Sequence, residues 1–201
     1  EEIQNQVFFD DVLVPKTNVI GEIDSGWTVA KYLLEFERGG GAVAPALQVV
    51  AEEIAEAAKD QPGPAGGRLA DDPAFMRKLA DARIRADVLE ILEYQVLAAV
   101  AEGRNPGASS SMLKVLGTEL SQELTALALE AAGPRGRIYQ PHVTAPGGPI
   151  ADYQPPVDGY ASGEPWQAVA PLRYFNDRAG SIYAGSNEIQ RNILAKAALG
   201  L

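Results

Sequence analysis

The chain has no cysteine among its 201 residues. Disulfides, thiolate metal sites and a cysteine nucleophile are therefore excluded. A chain without disulfides fits the cytoplasm, where thiols stay reduced. The one histidine, His142, cannot build a histidine-rich metal site, and no metal is expected. Basic residues are scarce: 17 Lys and Arg against 27 Asp and Glu give a net charge of −10. A nucleic-acid surface would be strongly basic, so that class of partner is not expected. An anionic small ligand remains compatible, because a few local cations can outweigh the global sign. No apolar run reaches the roughly 18 residues that a bilayer requires, so no membrane insertion is expected. The opening stretch Glu1-Glu2-Ile3-Gln4-Asn5-Gln6 lacks the basic and apolar regions of a signal peptide. It also lacks an initiator Met, as a fragment or a processed chain would.

What the chain does have is helical periodicity. Val29, Leu33, Phe36, Leu47, Val50 and Ile54 recur at helical spacing from Trp27 to about Lys59. Gly39-Gly40-Gly41 and Pro45 fall inside that stretch. Each Gly costs about 1 kcal/mol of helix propensity and Pro about 3, so a kink or a close backbone approach is expected there. Gln61 to Gly67 is a loop. Asp72 followed by Pro73 predicts an N-cap and first helical residue, with a helix running to about Glu102. Its apolar stripe is Phe75, Leu79, Ile84, Val88, Ile91, Leu92, Val96 and Ala99. A third helix over about Ala108–Ala131 carries Met112, Leu116, Leu120, Leu124 and Leu127 on one face. Gly133 to about Arg173 shows no periodicity and is expected to be an irregular loop. A last helix runs from about Ser186 to Gly200-Leu201. Val7 to Pro15 reads as a short strand or extended arm. The expected fold is all-α: a four-helix bundle preceded by a short β arm.

The terminal segment Gly180-Ser181-Ile182-Tyr183-Ala184-Gly185-Ser186-Asn187-Glu188-Ile189-Gln190-Arg191 carries further information. It resembles the C-terminal signature of flavin-dependent acyl-CoA dehydrogenases, Tyr-Glu-Gly-Thr/Ser-x-x-Ile-Gln-Arg followed by an apolar helix. Asn18-Val19-Ile20-Gly21-Glu22, Gly26 to Lys31, Ser109 to Lys114 and Gly117-Thr118-Glu119 are similar to other parts of that family. The likeness covers most of the chain outside 60–70 and 133–173. It implies that residues 1–25 are the tail of a middle β-domain and its linker. Residues 26–201 would then be the C-terminal helical domain of a longer flavoprotein.

The resemblance implies α,β-dehydrogenation of an acyl-CoA thioester, with FAD as cofactor and electron-transferring flavoprotein as electron acceptor. It also implies a homo- or hetero-oligomer, dimer or tetramer. In many relatives the Glu after the signature Tyr removes the α-proton. Here that position is Ala184. Some relatives place the carboxylate on the first helix of the domain, and aligned on Glu-Arg-Gly that position is Glu37. The competing reading is an ordinary solvated helix Glu. Glu35 is the second candidate, and Arg38 would contact substrate or pair with a carboxylate. By the same resemblance, Gly185 and Lys196 would lie near substrate. Ser186, Asn187 and Glu188 would meet the flavin, although Ser186 also suits an N-cap and Lys196 a helix C-terminus.

Two departures stand out. The family's flavin-binding Arg-x-x-Phe-Gly corresponds to the region of Arg68 and Phe75, with altered spacing and no Gly. Its Gly-Gly-x-Gly loop corresponds to Gly133-Pro134-Arg135-Gly136, where Pro134 removes an N–H donor. These changes keep open an alternative, a non-catalytic or half-site subunit of a heteromeric complex. His142 reads as a surface group or a catalyst. Trp166, Tyr160 and Tyr153 read as lining a ligand channel or pinning the loop to the bundle.

Overall fold

The computed structural model describes residues 6–37, 42–140 and 162–200, apart from the side chains of 35–37 and 198. Among the described residues are six α-helices: α1 Gly26–Glu37, α2 Ala44–Ala58, α3 Pro73–Ala101, α4 Ala108–Ala132, α5 Pro165–Asp177 and α6 Asn187–Leu199. α2, α3 and α4 run alternately up and down. Arg83 of α3 binds Glu52 of α2, and Lys78 of α3 bridges Glu130 near the far end of α4 at 2.9 Å. α5 and α6 then pack against α4, which is the hub of the bundle.

The element boundaries follow from local chemistry. Asp72 caps α3 by accepting the N–H groups of Ala74 and Phe75, and Pro73 opens the helix with its φ already set. The core runs along Leu47, Ala51 and Ile54 of α2, Phe75, Leu79 and Leu89 of α3, and Leu120, Leu124 and Leu127 of α4. Each such side chain contributes roughly 1.5–3 kcal/mol through burial. Ile84, Val88 and Ile91, expected in the stripe of α3, instead face outward. Its inward face is Phe75, Leu79, Ala82, Ala86, Leu89, Glu93 and Val96. The small Ala82 and Ala86 allow close helix approach, so the smaller of two apolar faces was selected by packing.

Three further expectations are corrected. The stretch from Trp27 to Lys59 is two helices, and Pro45 sits in the first turn of α2 rather than at a kink. That position suits Pro because first-turn N–H groups have no intrahelical acceptor. The segment Val7 to Pro15 pairs with no strand among the described residues, and Phe8 and Leu13 are 79% and 97% exposed. A single extended segment cannot form a ladder without a second strand. Finally, the end of the supposed irregular loop is α5. Glu164 and Gln167 form a capping box around Pro165, and Pro171 lies inside the helix. Pro171 suggests a break, but α5 buries Ala168, Val169, Ala170 and Leu172, and that packing outweighs the lost hydrogen bond. Trp166 packs against the core and also lines a groove between α2, α4 and α5.

Candidate active site

The signature residues converge on a sharp turn between the end of α5 and the start of α6. Ala184 and Gly185 both adopt left-handed backbone, at φ of 54° and 82°. Only glycine does so without strain, so Ala184 marks a constrained position. A Cβ on Gly185 would sit 2.5 Å from Nε2 of Gln190. That amide is fully buried and donates to the carbonyls of Ala184 at 3.4 Å and Gly185 at 3.1 Å. Gln190 therefore holds the turn from below. Ser186 is the N-cap of α6, accepting the Ile189 N–H at 3.5 Å.

α4 pins both sides of the turn. Upstream, Ser121 donates to Asp177 at 3.1 Å, and Arg178 donates to the Gln122 carbonyl and the Thr125 hydroxyl. Downstream, Lys114 donates to Oδ1 of Asn187 at 2.7 Å, Asn187 bonds Thr118, and Arg191 pairs with Glu119. Burial pushes the Lys114 ammonium below its ordinary range, while Glu188 acts in the opposite sense. The exposed Glu188 carboxyl lies below its ordinary range, first through its own backbone N–H, then through the Ser186 hydroxyl.

Behind the turn lies a cavity of 290 Å³, with Val43, Glu93, Lys114, Gly117, Asp177 and Tyr183 in its wall. It joins the start of α2, the middle of α3, the first half of α4 and the residue before Ala184. At the opposite end of α4 is a second cavity of 610 Å³, lined by Gly133, Pro134, Gly136, Arg137, Tyr139 and Phe175 among others. Tyr139 and Phe175 meet edge to face at 5.9 Å. Nineteen residues of α4 separate Lys114 from Gly133, roughly 28 Å at 1.5 Å per residue. A groove of 550 Å³ between α2, α4 and α5 is floored by Ile54, Ala128 and Val169, and no signature residue enters it.

The expected site residues fall into two groups. Gly185, Ser186, Asn187 and Glu188 share the α6 turn, and Lys196 lies in the last turn of the same helix. Asn187 is 3% exposed and spends its amide on Lys114 and Thr118, so it ties the turn to α4. Gly133 caps the far end of α4. Arg68, just before α3, makes two bonds of 3.0 Å to Asp71, which raise its pKa and lower that of Asp71. Phe75 has no exposed surface and belongs to the core. Glu35 and Glu37 lie on the last turns of α1, where the backbone alone is described. Arg38, Gly39 to Gly41, His142, Tyr153 and Tyr160 lie outside the described residues.

Sequence reasoning did not single out Gln190, Glu93 or the Asp177-Arg178 pair. Gln190 stood within the signature. Glu93 had a visible signal, a charge at the inward register between Leu89 and Val96.

A family profile described as the acyl-CoA dehydrogenase C-terminal domain matches residues 24–199. The chain belongs to the acyl-CoA dehydrogenase family and represents its C-terminal helical domain. It is 31% identical over 202 residues to the acyl-CoA dehydrogenase IpdE1 of Mycobacterium tuberculosis, covering 98% of this chain and 44% of that protein. It is 28% identical over 198 residues to FadE26 of the same organism, covering 96% and 44%. Among solved structures, the ChsE4-ChsE5 complex of Mycobacterium tuberculosis superposes with a TM-score of 0.67 at 28% identity, covering 96% of this chain and 45% of that one. Butyryl-CoA dehydrogenase of Megasphaera elsdenii shares the fold, with a TM-score of 0.66 at 22% identity over 95% and 43%. The chain thus spans less than half the length of these relatives. Among the described residues, no helix is long and apolar enough to cross a membrane.

Proposed function

We propose that this domain serves the α,β-dehydrogenation of an acyl-CoA thioester, with Glu37 as the base that removes the α-proton. The observation that carries the reading is the constrained turn at Ala184-Gly185. It keeps the signature sequence Gly185-Ser186-Asn187-Glu188-Ile189-Gln190-Arg191 on a left-handed turn, but has a methyl group at 184, where the resemblance implies a carboxylate in many relatives. The turn is held by Gln190, Asn187 and Lys114, and in this reading the carboxylate reaches the substrate from another element. Glu37 ends α1, six residues along the chain before Val43, which lies in the wall of the 290 Å³ cavity. Glu35, two residues earlier, is the second candidate. Arg38, Gly185 and Lys196 are the proposed substrate contacts.

A bound FAD would accept the β-hydrogen as hydride. The residues here fit such a group in two places. The start of α6, with Ser186 and Glu188, offers a helix N-terminus to an electron-rich ring. The cavity beside Gly133 combines the exposed Tyr139 and Phe175 with Arg137, a set suited to a planar heteroaromatic carrying phosphate. Pro134 costs that loop no bond within this chain, because it occupies the first turn of a 3₁₀ segment. The exposed Phe8, Leu13 and Trp27 offer surface to the companion domain that the relatives' greater length contains. We further propose an oligomer, with electron-transferring flavoprotein as the electron acceptor. A half-site role in a heteromeric pair is the second reading, favoured by Arg68 being occupied by Asp71.

The test uses the flavin-loaded protein that contains this domain. Anaerobic addition of an acyl-CoA should bleach the flavin band, and Glu37→Gln should retain flavin but not bleach. A Glu37→Gln protein that bleaches at the wild-type rate refutes the assignment. Flavin retention only with a second, different subunit would establish the half-site reading.

A further inference from the structure

We infer that Glu93 is a positioning residue for the segment that bears the proposed base; the inference rests on the Glu37 reading above. Glu93 lies on the inward face of α3 and is 4% exposed. Its Oε1 accepts the N–H of Val43 at 2.7 Å and that of Ala44 at 3.1 Å, across 50 residues of sequence.

The need for this contact is visible in α2. The N-cap position is Val43, which has no side-chain acceptor, and Pro45 contributes no N–H. Ala44 is fully buried, so water cannot serve its amide. Without Glu93, two first-turn donors would be orphaned at a helix N-terminus. The carboxylate in turn is tolerated in an apolar register because those N–H groups and the helix dipole compensate its charge. The cap of α2 is therefore supplied by α3, and the start of α2 is tied to the bundle rather than to its own connecting loop.

The location gives the contact a role beyond stability. Val43 is six residues along the chain from Glu37, and Glu93 fixes the Val43 end of that stretch. Glu93, Val43 and Tyr183 share the wall of one cavity. Glu93 thereby sets the start of α2 against the Ala184 turn. Its Oε1 is occupied by backbone donors, so the role inferred for it runs through the backbone.

The test is made in the flavin-loaded protein that contains this domain, with Glu37→Gln measured in parallel. Glu93→Met removes the acceptor at similar volume. In folded, flavin-replete enzyme, Glu93→Met should slow bleaching by about 10- to 100-fold, the effect of a small misplacement of a reacting group. Acyl-CoA affinity should stay within about threefold, a split that places the loss in the chemical step. Glu93→Gln keeps one acceptor and should fall between wild type and Glu93→Met. If Glu93→Met does not fold, Glu93→Asp is read by the same criteria, because it withdraws the carboxylate by one methylene. Bleaching by the folded variant within about twofold of wild type, with Glu37→Gln inactive, overturns the Glu93 assignment alone. Normal bleaching by Glu37→Gln overturns the base reading beneath it.

Discussion

Gly185→Ala tests the turn most directly. The residue sits at φ 82°, where an L-side chain costs roughly 1–2 kcal/mol. The added Cβ would also lie 2.5 Å from the Gln190 amide nitrogen, too close for contact. Gln190 must swing away, losing its bonds to the carbonyls of Ala184 and Gly185. Stranding a buried amide costs about 1–3 kcal/mol. The two effects together predict a loss of about 2–5 kcal/mol. For a domain of this size, each kcal/mol moves Tm by about 2–4 °C. The melting midpoint by circular dichroism at 222 nm should therefore fall by roughly 4–20 °C. Gln190→Ala removes the clashing group and should couple to it. The double variant Gly185→Ala/Gln190→Ala should be more stable than the sum of the single effects by about 1 kcal/mol or more. A Gly185→Ala midpoint unchanged from wild type, or strict additivity in the cycle, would refute this account of the turn.

Other outcomes follow from the same geometry. Phe75→Ala empties a fully buried site and should cost about 3–5 kcal/mol in denaturant titration. If Phe75 instead served a cofactor, flavin content would fall with little change in stability. Ser186→Ala should cost about 0.5–1 kcal/mol, at the low end for a cap because its bond is long, and Ser186→Asp should restore the loss. Glu188 has a folded pKa below its ordinary 4.5, so its contribution is present above that pH and disappears as pH falls through the lower folded value. The Tm difference between wild type and Glu188→Gln should therefore shrink as pH drops below 4.5 and stay constant above it. A difference that grows on acidification would contradict the sign of the shift.

Legibility differed from element to element for physical reasons. α3 and α6 could be read because their starts carry capping residues, Asp72-Pro73 and Ser186, ahead of a periodic run. α5 was obscured by Pro171, although its capping box at Glu164 and Gln167 was written in plain residues. The break between α1 and α2 was hidden because a Pro can signal a kink or a helix start, and only tertiary burial of Ala44 distinguishes them. The choice between the two apolar faces of α3 was likewise open, since periodicity identifies a stripe but not its partner.

At the candidate site, residue type and spacing alone carried the family likeness, the vacancy at Ala184 and the pairing of Ser186 with a helix start. These are local properties, set by side-chain chemistry within a few residues. Only tertiary structure separated Gly185 to Glu188 from Gly133, because α4 binds Asn187 through Lys114 and Thr118 in its first half and ends at Gly133. The same holds for Glu93, whose bond to Val43 spans 50 residues. No local pattern encodes such a contact, since it exists only once α2 and α3 pack and a buried N–H needs an acceptor from wherever the fold supplies one.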